Sequence, residues 1–379
     1  MTKNKWLIAM LVLFFVVGLA LLWPGQSYLP TSQPPWIVER LAGQPIIAEV
    51  AEEHGYYNVC CPSIIEVPDW VQNRLGRYYL YFSHHKGSYI RMAYSNSPLG
   101  PWSLYEEGVL SLGDSGLPVS LDEVITGESR VLYTLRTLPL PLARDILVST
   151  WWSKRVSAAE RKKRGMSAAG TKTPHIASPE VVADDVSRQL VLFYHGLDHY
   201  GRQSSRIATS SSGLEFTGLE REVAGAYLRH FQHHGIHYLL GMAGALYRSD
   251  SLTGPYELRN SLLFEPNMRH PGLWLEDDML YVFWSRLGDA PERLLLSEID
   301  LSQSDWNRWR ATEAVEMLRP EDEWEGAQLP VHKSIRGELD IPSQELRDPF
   351  LFRDSDGAFY LYYVGGGERG IGAARLLQK

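Results

Sequence analysis

The chain has 379 residues, 44% of them hydrophobic and 22% charged, enough apolar material for a sizeable core. A net charge of −8 excludes the global basic field by which proteins hold nucleic acid, so no nucleic-acid partner is expected. The two cysteines are neighbours, Cys60 and Cys61, which excludes a disulfide framework and any spaced zinc motif built on cysteine.

Lys3 and Lys5 stand before an unbroken apolar stretch from Trp6 to Trp23. As a helix it would span ~27 Å, close to the thickness of a bilayer core. No small-residue cleavage site precedes Pro24, so residues 1–23 predict an uncleaved signal anchor or transmembrane helix. The basic flank leaves the N-terminus in the cytoplasm and puts the body on the periplasmic or extracellular face; cleavage would release it as a secreted protein. Residues 24–49 read as a Pro-rich linker. Trp36-Ile-Val-Glu-Arg and Pro45-Ile-Ile-Ala-Glu-Val within residues 36–50 offer a strand that could close a ring.

From Asn58 to Tyr105 four short runs rich in Ile, Val, Tyr and Phe are separated by Pro, Gly, Asn and Asp. Aromatic and β-branched residues suit a pleated surface, and the breakers mark turns. Four strands in about 45 residues make one blade of a β-propeller. An inserted segment at about 121–173 follows, carrying Trp151-Trp152 and the basic run Arg161-Lys-Lys-Arg164, which reads as a solvated face. The strand grammar resumes at His175, again near Ala226, at Arg269 and at Arg347, where the last copy runs out of chain after three strands. Ser97-Pro-Leu-Gly-Pro-Trp102 and Ser251-Leu-Thr-Gly-Pro-Tyr256 are the same phrase at equivalent places. The pattern therefore predicts an all-β, five-bladed propeller over residues 50–379.

In a propeller the innermost strand of each blade lines a shared channel. The five blade openings bring Asn58 and Cys61, His175 and Ser178, Arg229 and His230, Arg269 and His270, and Arg347 and Asp348 toward it. The ends of the second strands add His84, His85, Lys86, His195, Arg286 and Glu368 at the same mouth. Of these, His84, His85, Lys86, His195, Arg229, Arg269, Arg286 and Arg347 are candidate substrate-binding residues. So many Arg, Lys and His together suggest an anionic ligand such as a uronate or sulfated sugar. Gly365-Gly-Gly-Glu-Arg-Gly-Ile-Gly leads from strand to strand and lacks the helix N-terminus of a phosphate loop. His233-His234-x-x-His237 lacks the Glu and the helix of a zinc site and reads as a His-rich turn. No cofactor is expected; whether a central structural metal is present stays open.

These blades resemble the five-bladed superfamily of glycoside hydrolase families 43, 32, 62, 68 and 117, the arabinanase, xylosidase, invertase and levansucrase group. The resemblance rests on Pro62-Ser-Ile-Ile, the Ser-x-x-Gly-Pro phrases, Arg347-Asp-Pro-Phe-Leu-Phe-Arg-Asp-Ser-Asp-Gly and Gly367-Glu-Arg-Gly-Ile-Gly. It implies a carbohydrate substrate. It also implies an Asp base, an Asp modulator and a Glu acid opening the first three blades, where this chain has Cys61, Ser178 and about Ala226. Asp348 and Glu368 remain as candidate catalytic carboxylates. Hydrolysis needs one carboxyl protonated and another ionised, ~5–5.5 Å apart for retention or ~6.5–9.5 Å for inversion. Arg347 is expected to favour the ionised form of Asp348, and an aromatic wall to make Glu368 the acid. Family 117 implies a His acid, for which His175 and His270 are candidates. The alternatives are a uronate lyase that uses His or Tyr as base, and a catalytically silent sugar-binding propeller.

Overall fold

The computed structural model describes residues 28–31, 33–48, 58–124, 173–339 and 341–379. The expected anchor at 1–23 and nearly all of the 121–173 insertion, with Trp151, Trp152 and the Arg161–Arg164 run, lie outside the described residues. Among the described residues no helix is long and apolar enough to cross a membrane.

Ahead of the first blade lie β1 (Trp36–Arg40) and β2 (Ile47–Ala48). The first blade is β3 (Cys60–Glu66), β4 (Tyr78–Ser83), β5 (Tyr89–Ser95) and β6 (Ser103–Ser111). The second is β7 (Ile176–Asp184), β8 (Gln189–Leu197), β9 (Gln203–Ser210) and β10 (Thr217–Ala224). The third is β11 (Arg229–His233), β12 (Ile236–Gly241), β13 (Ala245–Ser249) and β14 (Glu257–Leu258). The fourth is β15 (Met268–Glu276), β16 (Met279–Arg286), β17 (Leu294–Asp300) and β18 (Val315–Leu318). The last has β19 (Arg347–Arg353), β20 (Phe359–Gly365) and β21 (Gly370–Gln378), and takes its fourth strand from β1. β1 runs antiparallel to β21, from Trp36 opposite Gln378 to Arg40 opposite Ala374, so the two ends of the propeller close one sheet. Trp36 locks that strand down, its ring 4.5 Å from Tyr281 and 5.4 Å from Phe359.

The core is divided into wedges between neighbouring blades, and this explains the unbroken aromatic runs. Along β4, Tyr79 and Tyr81 pack toward the second blade, while Tyr78, Leu80 and Phe82 pack toward the last. Along β20, Tyr360 and Tyr362 face the first blade, and Leu361 and Tyr363 the fourth. A strand buried on both faces has no polar side, so alternation by face disappears from its composition. The repeated Ser-x-x-Gly-Pro phrases sit alike between third and fourth strands. Their glycines, Gly100 at φ 89° and Gly254 at φ 82°, adopt a backbone that L side chains avoid.

Arg229 joins the blades at the axis. Its guanidinium donates to the carbonyls of Pro62 (2.9 Å), Pro179 (3.0 Å) and Pro271 (3.2 Å) and to Glu180 (2.8 Å), and it stacks 5.0 Å from the Phe350 ring. Those partners come from the first, second, fourth and last blades. At four blade openings the inner strand slips register: between Cys60 and Ser63, Ala177 and Glu180, Met268 and Pro271, and Arg347 and Phe350. Bulges of this kind re-aim a side chain. Three of the residues so re-aimed, Cys61, Ser178 and Asp348, have φ of 62°, 54° and 51° although each precedes a proline, which disfavours that backbone.

Candidate functional site

The re-aimed side chains meet on the axis. Ser178 Oγ donates to Cys61 Sγ (3.0 Å), and Cys61 Sγ donates to Asp348 Oδ2 (3.4 Å). The other carboxylate oxygen of Asp348 contacts His270 Nδ1. His270 stacks on Tyr227, ring centroids 3.8 Å apart, and Tyr227 in turn lies 4.2 Å from His195, which has His175 at 5.8 Å. The Tyr227 hydroxyl is 2.9 Å from His85 Nε2. Five blade openings and loops thus converge on one ring of groups. All but the half-buried Tyr227 are buried; Asp348 and His195 have no exposed surface, and His85 only 6%.

Protonation is divided within the ring. Burial lowers the pKa of His270 well below the usual imidazole value, and Arg269 and His85 push it the same way. Its ring is neutral, with Nδ1 held against the Asp348 carboxylate; the tautomer with its proton on Nδ1 leaves Nε2 as an acceptor. Burial likewise lowers His175, to about 4, and His195 well below the ordinary value. His85 goes the other way. Burial opposes its charge, yet the Tyr227 oxygen and the Glu368 carboxylate raise its pKa well above the ordinary value. The His85 and His270 rings are 6.3 Å apart.

Glu368 is not the protonated acid expected from the sequence. Burial alone would raise it, but His85 at 3.2 Å, Arg347 at 2.6 Å and the Asn58 amide hold the carboxyl well below the usual range. Nor does the Arg347 guanidinium bond to Asp348. It bonds Glu345, Glu368 and, at 3.6 Å, Glu292. Arg269 pairs with Glu292 (3.3 Å), Arg229 with Glu180 (2.8 Å) and Lys86 with Glu338. Lys86, Arg229, Arg269 and Arg347, which helped suggest an anionic ligand, are neutralised by the protein's own glutamates. Except for Glu345, which is close to Arg347 in the chain, those glutamates lie 21 to 252 positions from their partners, which is why the pattern hid them.

The expected open funnel is filled. The segment 334–339 crosses its mouth. Asn58 donates to the Leu339 carbonyl (3.3 Å), Arg269 to those of Ile335 (3.2 Å) and Gly337 (3.4 Å), and Glu338 meets Lys86. Beneath it, Cys61, Ser178, Tyr227, Arg229 and His270 line a cavity of about 10 Å³, room for about one water. A larger hollow of about 420 Å³, beside Trp324, Pro45 and Arg369, lies by the β20–β21 turn and shares no lining residue with the axial ring.

A protein of Acanthamoeba polyphaga mimivirus, named "Uncharacterized protein R118", is 31% identical over 345 residues, covering 84% of this chain and 83% of its own length. The chain belongs to its family. No family model matches the sequence. Among solved structures, a glycosyl hydrolase from Bacteroides ovatus superposes with a TM-score of 0.52 at 11% identity, over 92% of this chain and 96% of its own. The GH43 β-xylosidase/α-arabinofuranosidase CoXyl43 from a compost microbial metagenome, solved with xylotriose, gives 0.52 at 10% identity over 90% and 96%. The fold is the five-bladed propeller of the GH43-type glycoside hydrolases.

In this chain the structure brings together Asp348, His270, His175, His195 and His85, and joins Glu368 to them through His85. Arg229, Arg269 and Arg347 are internal ties. His84 is a turn residue whose Nδ1 accepts from the Lys86 backbone (2.9 Å), and Arg286 lies 4.9 Å over the Trp284 ring. Sequence reasoning passes over Tyr227, which reads as an ordinary strand aromatic in Ala226-Tyr-Leu. A faint signal exists: Tyr227 falls where the third blade opens, beside the position assigned to the missing acid, and its φ is 60°.

Proposed function

We propose that the protein acts on a glycan by glycoside hydrolase-like acid–base chemistry at the propeller axis. One observation carries the reading: His85 and His270 stand 6.3 Å apart, each beside Tyr227, and are held in opposite protonation states. Environments that push two titratable groups apart assign acid and base. Tyr227 O–H protonates the leaving glycosidic oxygen and is resupplied from His85 Nε2, whose charge Glu368 maintains. His270 Nε2, oriented by Asp348, takes a proton from the water that adds to the anomeric carbon as the C–O bond breaks. A sugar ring does not fit the present cavity, so binding requires the 334–339 segment to move aside. The saturated arginines favour a neutral sugar over a uronate and weaken the lyase reading. The apolar Trp6–Trp23 stretch supports a location on the outer face of a membrane.

The test is release of reducing ends from xylo- and arabino-oligosaccharides and from acidic glycans. Turnover is expected on a neutral member of the panel, with His270→Ala, Asp348→Asn and Tyr227→Phe each lowering kcat by ~10²–10⁴-fold while circular dichroism is unchanged. Unsaturated, ultraviolet-absorbing products would favour a lyase. Binding without turnover, indifferent to Asp348→Asn, would leave a sugar-binding propeller.

A further inference from the structure

His233, His234 and His237 lack, in sequence, the carboxylate that would complete a metal site. The neighbouring blade supplies one. The β11–β12 hairpin turns on His234 and Gly235, φ 49° and 80°, between the paired residues His233 and Ile236. Two positive φ angles in a two-residue loop are the signature of a type I′ turn. The β15–β16 hairpin of the fourth blade turns on Asp277, φ 52°, and Asp278, between Glu276 and Met279. Both turns lie at the ends of their blades away from the channel mouth, and their tips touch. His233 Nε2 is 2.8 Å and His234 Nε2 3.3 Å from the same oxygen, Asp278 Oδ1, and the three donor atoms lie within 4.8 Å of one another.

We propose that His233, His234 and Asp278 form a binding site for a zinc-class divalent cation that clamps the third blade to the fourth. Zinc with bonds of about 2.0–2.1 Å in a tetrahedron keeps its donors about 3.3 Å apart, the present His234 to Asp278 spacing. Widening the His233 hydrogen bond by about half an ångström admits the ion. Two imidazoles and one carboxylate suit zinc and its late first-row neighbours, whereas calcium and magnesium take oxygen shells. His233 is buried with the Trp309 ring at 6.4 Å, which fixes one ligand, while the His234 and Asp278 side chains are 77% and 48% exposed. That exposure leaves an entry path and a fourth position for water.

The experiment is calorimetric titration of zinc chloride into the full chain, purified without an oligohistidine tag and stripped with chelator, together with thermal melts. One ion per chain is expected, with an upward shift of the melting temperature. His234→Asn keeps the turn, since Asn-Gly is a favoured type I′ pair, and should weaken zinc binding at least tenfold and abolish the shift. Asp278→Asn should do the same. His237→Asn and Cys61→Ser should leave the isotherm unchanged. Zinc binding unaltered by His234→Asn, or lost with Cys61→Ser, would overturn the proposal, as would no binding by the unaltered chain at 100 μM zinc (about 0.1 mM, a weak limit for a three-ligand site).

Discussion

Arg229 shows how much one side chain can hold. Five donors in a planar fork serve three proline carbonyls and the Glu180 carboxylate, in positions that only the axis of a closed ring makes adjacent. Burial raises the Glu180 carboxyl, with Arg229 opposing it, so removing Arg229 leaves an acid with no counter-charge. Arg229→Met should cost about 3–5 kcal/mol, as expected for breaking a buried pair from one side. The midpoint of urea denaturation measures it. A loss near zero would mean that the ring does not depend on this tie. Arg229→Lys should recover only part of the stability, because a single ammonium cannot reach carbonyls of three blades at once.

At the scale of elements, the decisive piece is the segment between β18 and β19. Any ligand of the axial ring needs an open mouth to reach it, yet here Ile335 and Leu339 cover it and Glu338 latches to Lys86. Cys60 and Cys61, the chain's only thiols, lie beneath it with 0% and 2% exposure. They report on its opening. In the native protein a thiol reagent should modify them slowly. Glu338→Gln, which breaks a pair only 15% exposed at Lys86 and 2% at Glu338, should speed that reaction at least several-fold under conditions where the urea midpoint shows both proteins still folded. Equal labelling rates in both proteins would show that the segment does not gate the axis.

For the whole molecule, the buried histidines make stability depend on pH in a direction that can be worked out. His175 titrates at about 4 in the folded state against 6.5 ordinarily, and His230 at about 3, both lowered by burial. The unfolded chain binds more protons than the folded one between those values, so stability falls as pH drops from 6.5 toward 4. Each such group contributes on the order of 3 kcal/mol to that loss. Glu368, held low, adds to it at still lower pH. His85 has the opposite sign: its contribution is whole below the ordinary imidazole value and fades as pH rises through its elevated one. Calorimetric melts should therefore show a steep decline from pH 6.5 to 4, and a flat profile there would contradict the buried neutral histidines.

The ring architecture was legible from the chain alone, because strand runs, turn residues and the twin Gly-Pro phrases are local features fixed by backbone and burial chemistry. So was the gathering of polar residues at the blade openings, since propeller geometry sends every inner strand to one axis. What each of them does there was not legible. Arg347 and Asp348 are neighbours in sequence but a bulge turns them to different partners, Arg347 to Glu345 and Glu368, Asp348 to His270 and Cys61. Tyr227 carries no mark beyond an aromatic ring at a blade opening. Partner choice among buried charges, the closing of the mouth and the meeting of His233 with Asp278 depend on contacts between residues tens to hundreds of positions apart. Only the folded chain creates those contacts, because electrostatic and hydrogen-bond energies act over a few ångströms of space and are blind to distance along the sequence.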